Sequence, residues 1–294
     1  GLGKIISYKK STMGESNHNW IIKTTKGKFI LRRAPNFRKL RDLKFELYYL
    51  TKLKENGFPY EVPSPLMTSK RSNLIRHKKG NWWMYPYIDG KVIEPLSKSN
   101  ITELARMMAL YHLTIEKMKL SNGRKKTKQF DKAQTLKDLM KLQKATKKIK
   151  NKDTQNHIFL KESATIIPLL YKIKNPLYDS LPQYPLHRDL NPENILWKNN
   201  KIAGVIDFEN VGTMNENCIS DVAISLMFAA TTEKEHKLNL FKTKEFVKTY
   251  QKYRKLSVEE LSLIPDIIVV GWIGAFSWQY WLYLHNNIRS QPRR

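Results

Sequence analysis

The sequence predicts an α+β chain in two lobes, a small β-rich N-terminal lobe over residues 1–87 and a larger, mainly helical C-terminal lobe over residues 88–294. Three observations predict it. Short β-rich runs set off by glycine and proline fill the first part of the chain. After Asp89-Gly90 the hydrophobic period becomes that of helices. One apolar run inside the helical part, Ile202 to Ile206, stops on a carboxylate, Asp207.

The N-terminal elements follow in order. Trp20 to Thr25 and Lys28 to Arg33 are β-rich and separated by Lys26-Gly27, which predicts a tight hairpin. Leu40, Leu43, Leu47 and Leu50 then recur at helical spacing, so a helix follows that Asn56-Gly57 stops. Pro59, Pro63 and Pro65 mark an extended connector, and Trp82 to Tyr85 reads as a further strand ending at Pro86.

In the second lobe Asn100 with Glu103 predicts a capping box for a helix whose Ile101, Leu104, Met108, Tyr111, Ile115 and Met118 form one apolar face. Near the C-terminus Ser257 with Glu260 predicts a helix start. The Pro265-Asp266 step predicts the start of another helix, rich in aromatics from Trp272 to Tyr283. There is no internal repeat.

Composition limits the classes of function. Fifty-three Lys and Arg against twenty-six Asp and Glu leave +27, which favours anionic partners such as nucleotides, phosphorylated metabolites or nucleic acid. Residues 117–152 carry fourteen of the cations and two acids, Asp131 and Asp138, and read as a lysine-rich helical insertion with a solvated face. Phe130 is the one aromatic between Lys119 and Lys152, so base stacking is poorly supported and a nucleic-acid partner is not expected. The single cysteine, Cys218, allows no disulfide within the chain. The first residues lack an apolar core of signal-peptide length, and the run Ile267 to Phe276 covers half of a membrane span. A cytoplasmic protein with no membrane partner is the expectation.

The chemistry concentrates in His187-Arg188-Asp189-Leu190-Asn191-Pro192-Glu193-Asn194 and, after a turn at Asn199-Asn200, in Ile206-Asp207-Phe208-Glu209. An acid able to take a hydroxyl proton, an amide five residues later and a carboxylate closing a strand are what metal-dependent phosphoryl transfer requires. Asn194 and Asp207 supply the oxygen ligands that magnesium prefers.

These motifs resemble the aminoglycoside phosphotransferase and choline kinase family, small-molecule kinases of the protein-kinase-like fold. The loop matches His-x-Asp-x-x-x-x-Asn, and Ile206-Asp207-Phe208-Glu209 matches the family's Ile-Asp-Phe/Trp-Glu. Gly14-Glu15-Ser16-Asn17, Leu31-Arg32-Arg33-Ala34-Pro35 and Ser220-Asp221-Val222-Ala223 are also family-like, so the resemblance covers most of the chain. It implies a bilobal kinase-like fold and an enzyme that uses ATP, or GTP, with Mg2+.

The resemblance also implies roles. Asp189 is the catalytic base, and Asn194 and Asp207 hold the metal. Arg32 takes the place of the phosphate-contacting lysine, with Arg33 as the alternative and Glu46 as its ion-pair partner. Ser16 and Asn17 belong to the turn over the phosphates, although one glycine, Gly14, is a poor match to the kinase glycine loop. Tyr85 lies deep in the cleft, with the Pro86 carbonyl and the Ile88 amide facing the base. His187 supports the loop, and Asp221 bonds its backbone. Trp278 and Tyr280 are acceptor-pocket candidates, the rest of that stripe being core.

Only thirteen residues separate Asp207 from Asp221, and no Ala-Pro-Glu follows, which disfavours a protein substrate. The expected acceptor is a small molecule with a hydroxyl: an amino alcohol, a sugar or an antibiotic. A net charge of +27 repels polycationic aminoglycosides unless Glu209, Glu216 or Asp179 builds a local acidic pocket, so a neutral or zwitterionic acceptor is preferred. The alternatives are an antibiotic-resistance aminoglycoside kinase and a non-catalytic kinase-fold binding or coat-like protein. The oligomeric state is left open.

Overall fold

In this computed structural model, which describes residues 1–11, 18–77, 80–120, 132–173, 177–231 and 237–286, the N-terminal part is an antiparallel sheet and the C-terminal part is helical. The sheet comprises β1 (Ile5–Lys10), β2 (His18–Thr24), β3 (Gly27–Arg33), β4 (Ile75–His77) and β5 (Gly80–Pro86), in the order β1-β2-β3-β5-β4. The predicted hairpin joins β2 to β3, and Gly27 begins β3 at φ +141, a backbone conformation that glycine supplies without strain.

Pairing of Arg32 with Trp83 and of Arg33 with Trp82 puts the two arginines on opposite faces of β3. Helix α1 (Leu40–Glu55) ends where Asn56-Gly57 predicts, with Gly57 at φ +79. It buries Leu43, Leu47, Leu50 and Leu53, each contributing about 2 kcal/mol of apolar burial.

The second lobe contains α2 (Lys98–Met118), α3 (Lys132–Lys147), α4 (Thr154–Lys172), the hairpin of β6 (Ile195–Lys198) and β7 (Lys201–Val205), α5 (Cys218–Ala229), α6 (Leu240–Tyr253) and α7 (Val258–Asn286). Asn199 and Asn200 both adopt left-handed backbone (φ +52 and +60), the mirror-image turn that suits a two-residue hairpin. The predicted apolar face of α2 is buried from Ile101 to Ile115. Its capping box is Ser97 with Asn100, one turn earlier than the spacing suggests. Ser97 offers a hydroxyl to the Asn100 N–H, and Asn100 is already the third helical residue.

Ser257 and Glu260 do form their reciprocal box. Pro265, however, starts no new helix. It sits inside the 29-residue α7, where it removes one N–H donor while Leu263, Ile264, Ile267 and Ile268 hold both flanking turns in the core. By length and composition the segment Val258–His285 is apolar enough to cross a membrane, yet here α7 packs on α3, α4 and α5. The lysines of α3 are solvated: Lys137, Lys141, Lys144 and Lys147 are exposed while Leu139, Leu142 and Thr146 are buried. Residues 121–131 of the lysine-rich stretch lie outside the described residues.

The two lobes meet through main chain. Glu61 N donates to Ala203 O (3.2 Å) and Val205 N donates to Glu61 O (2.9 Å), laying the connector after α1 along β7. Gly204 permits this approach, since a Cβ there would stand 2.7 Å from Glu61 O. Beyond β5, Lys91 exchanges hydrogen bonds with Trp197 (2.9 and 2.8 Å). The sheet is thereby held above the β6–β7 hairpin, the element that delivers Asn194 at one end and Asp207 at the other.

Candidate active site

The catalytic loop is tied down from below. His187 is fully buried and stands edge-on to Phe208 at 4.6 Å. Its Nε2 lies 2.8 Å from Ile206 O and its Nδ1 lies 3.3 Å from the Asp189 N, so both ring nitrogens are tied to the main chain of the loop and of β7's end, and the ring has a supporting role. Asp221, fully buried at the start of α5, accepts the Arg188 N–H at 2.8 Å, as its expected structural role requires. Its other oxygen is 3.4 Å from His112 Nε2, and Tyr250 closes the chain on His112 Nδ1 (2.6 Å). Burial holds His112 below its usual pKa. One turn further along α5, the Ser225 hydroxyl donates to Leu190 O.

On this base the Asp189 carboxylate is oriented by two amides. Asn191 Nδ2 donates to Oδ1 (2.8 Å), and Asn194 Nδ2 donates to Oδ2 (2.9 Å) and to the Asp189 carbonyl (2.8 Å). With its nitrogen so committed, the amide oxygen is the atom of Asn194 that could meet a cation. Burial and the nearby Asp207 raise the Asp189 pKa, with His187 and the two amides opposing.

Asp207 closes the cluster in left-handed backbone, φ +67, an uncommon conformation for a residue with a β-carbon. Its Oδ1 accepts from Arg32 Nη2 at 2.8 Å. Burial would raise its carboxyl, but the charge and hydrogen bond of Arg32 outweigh that and hold it below the usual range. Asp207 and the Asn194 oxygen are hard donors suited to magnesium, and Asp207 already draws a cation. Among the described residues no group of three or more His, Cys, Asp or Glu could hold a metal ion, so magnesium here would take most of its ligands from phosphate and water.

The positive side of the cleft is more elaborate than the sequence suggests. Arg32, 3% exposed, reaches Asp207 and, at 3.4 Å, Glu209, while Arg33 turns to the opposite face over Trp82. Glu46 is fully buried, but its ion pair is with Arg38 (2.7 Å), correcting the expected Arg32 pairing. The reason is competition: Asp207 and Glu209 occupy Arg32, and Arg38 bridges Glu46 to the Glu209 main chain, its Nη2 donating to Glu209 O at 2.7 Å. Burial raises the Glu46 pKa despite Arg38. The sequence does not single out Arg38, and it names Glu209 for the motif and an acidic pocket but not for this contact, which spans 171 residues of chain.

Tyr85 lies deep in the cleft as expected, beside Arg32, with its hydroxyl pushed up to about 12 by burial. Pro86 and Ile88 stand at the connector, where Pro86 to Asp89 and the residues Glu61, Val62, Ser64 and Ala203 line a cavity of about 290 Å³. Ser16 and Asn17 lie outside the described residues.

The aromatic stripe of α7 divides. Tyr280 is in the core, donating to Asn156 Oδ1 (2.6 Å) and paired with the Thr146 hydroxyl (2.9 Å), so it does not face an acceptor. Trp278 is exposed and stacks on Trp281. Trp272 instead meets Phe228 of α5 at 6.1 Å, and both rings are partly exposed.

A sequence model described as the phosphotransferase enzyme family matches residues 8–256. A homoserine kinase of Bradyrhizobium diazoefficiens is 26% identical over 270 residues, covering 90% of this chain and 76% of that protein. A spectinomycin phosphotransferase solved with ADP and spectinomycin aligns with a TM-score of 0.68 at 15% identity, over 98% of this chain and 87% of the other. A microcompartment-associated aminopropanol kinase aligns with a TM-score of 0.60 at 15% identity, over 93% and 83%.

Proposed function

The chain belongs to the phosphotransferase enzyme family, and from that premise we propose that it transfers the γ-phosphoryl group of ATP to the hydroxyl of a small amino alcohol of the homoserine type. The observation that carries the reading is the convergence of Asp189, Asn194 and Asp207 under Arg32, with every carboxylate oxygen of Asp189 held by an amide. Asp189 orients the acceptor hydroxyl and takes its proton. Asn194 and Asp207 would hold magnesium, which when bound neutralises phosphate charge. Arg32 lies where its guanidinium can fork across phosphate oxygens once it leaves Asp207. The Pro86 carbonyl and Ile88 amide take the adenine edge.

Charge supports a small zwitterion over a polycationic antibiotic. A polycation needs free carboxylates, but Glu209 is engaged by Arg32 and Arg38 and Glu216 is buried against Arg188, while the side chain of the third candidate, Asp179, lies outside the described residues. Phe228 follows Ser225, which holds Leu190, by one turn of α5, and its ring and that of Trp272 offer exposed aromatic faces to an ammonium group. The amino alcohol kinases among the similar proteins point the same way.

The test is nucleotide turnover, with ATP and GTP in parallel, against homoserine, aminopropanol, choline, spectinomycin and kanamycin, with Asp189→Asn as the control. Magnesium-dependent phosphorylation of an amino alcohol, lost in D189N, is the expected result. Preferential phosphorylation of kanamycin would overturn the acceptor assignment, and absence of any turnover together with no ATP binding would overturn the kinase reading.

A further inference from the structure

Arg188 stands between the loop histidine and the expected base, and its backbone is left-handed, φ +64. A side chain in that region is held there by its surroundings, against a strain of about 1–2 kcal/mol. The hold is visible. The Arg188 N–H donates to Asp221, its Nε donates to Glu216 Oε1 at 2.7 Å and its Nη1 donates to Thr213 Oγ1 at 2.5 Å. Glu216 is fully buried and grips the loop a second time through main chain, exchanging hydrogen bonds with Tyr184 (2.8 and 2.9 Å) just upstream of His187. Thr213 and Glu216 both lie in the thirteen-residue segment between Asp207 and Asp221. Arg188 therefore fastens the segment that follows Asp207 to the loop that carries Asp189.

We infer that Arg188 and Glu216 are positioning residues for phosphoryl transfer: their buried ion pair maintains the left-handed turn that aims the Asp189 carboxylate, and it is complete only when Glu216 is ionised. The inference rests on reading Asp189 as the base. A buried ion pair is a poor stabiliser compared with apolar packing of the same volume, so its presence under the loop argues for geometry. The groups facing Glu216 are Arg188, Ser220 and Asp221 from α5, and Tyr178 from the short turn before the loop. Burial pushes the Glu216 carboxyl up to about 7, with Arg188 opposing and Asp221 adding to the rise.

The pKa in the folded protein exceeds the ordinary carboxylate value, so the folded state binds the proton more tightly than the unfolded chain does. This group then adds stability as pH falls through about 7. The ion pair, and with it the aim of Asp189, is lost over the same interval. Stability and turnover should move in opposite directions.

The experiment compares the wild-type chain with E216Q, the milder T213V and D189N, reading kcat and KM with Mg-ATP and homoserine, ATP hydrolysis by water, and melting temperature, each from pH 5.5 to 9. The expected result is a wild-type kcat that falls below about pH 7. E216Q should lose at least tenfold in kcat at pH 8 with the KM for ATP within about twofold, lack that acidic limb, and lose the relative gain in melting temperature between pH 8 and 6. T213V should lose two- to threefold. A wild-type kcat and pH profile in E216Q, or in T213V should E216Q not fold, overturns the inference, as does a loss that only tracks the folded fraction. Turnover lost in D189N but kept in E216Q removes the positioning role alone, whereas turnover kept in D189N removes the base assignment itself.

Discussion

Arg32 Nη2 lies 2.8 Å from Asp207 Oδ1, joining the third strand of the small lobe to the carboxylate that closes β7, 175 residues away in sequence. The contact is buried on the arginine side and about one-third open on the aspartate side, so solvent screens part of it. Arg32→Ala should lower stability by about 2 kcal/mol in denaturant unfolding, because Asp207, Glu209 and Glu46 lose a shared counter-charge. It should also raise the KM for ATP about tenfold. Arg32→Lys should recover most of the stability and less of the nucleotide affinity, since one ammonium cannot fork between two acceptors.

Gly212 follows the Asp207-Phe208-Glu209 run and lies directly against α1: a Cβ there would meet Asp42 O at 2.8 Å and Asp42 Cα at 3.1 Å. Both neighbours are backbone and cannot swing aside. Gly212→Ala should push the segment off α1, cost about 1–3 kcal/mol in stability and lower kcat more than the KM for ATP. Chemical denaturation and steady-state kinetics on one preparation check both, and an unchanged kcat would mean that this contact does not position Asp207.

How much of this was legible in sequence depends on the range of each interaction. The loop from His187 to Asn194 and the Asp207 that follows the hairpin are readable because the functional groups sit at fixed local offsets. Even the left-handed Asn199-Asn200 turn announces itself by residue type. The arginine partners were not readable. Glu46 has Arg32 and Arg38 both within reach, and the choice is made by Glu209, which arrives from the other lobe. Arg188 looks like a variable position of the motif until Glu216 is brought beneath it. Pro265 misled for a related reason: a proline ends an isolated helix, but tertiary packing on both flanking turns carries α7 through it.

The metal reading predicts a large loss of turnover at each of its two ligands. Asp207→Asn removes the charge and should reduce turnover about a thousandfold or more. Asn194→Ala removes both a metal oxygen and a donor that holds Asp189 Oδ2, so it should lose a similar factor. Chelation by EDTA should abolish wild-type activity, and added Mg2+ should restore it. Full activity in EDTA would rule out Asn194 and Asp207 as metal ligands.

The acceptor assignment can be tested on α5 and α7 without disturbing the phosphoryl-transfer groups. Phe228 follows Ser225 by three residues on the same helix, so the ring sits one turn beyond the hydroxyl that holds Leu190, and Trp272 comes from the neighbouring helix to meet it. If these faces hold an ammonium group, each is worth about 1 kcal/mol. Trp272→Ala and Phe228→Ala should then each raise the acceptor KM about five- to tenfold, leave the KM for ATP unchanged and reduce kcat little. Trp278 provides the comparison, being exposed on α7 but stacked on Trp281. Trp278→Ala should leave both Michaelis constants as they are. A raised acceptor KM in W278A, with none in W272A or F228A, would move the acceptor site along α7 and away from the turn that Ser225 anchors.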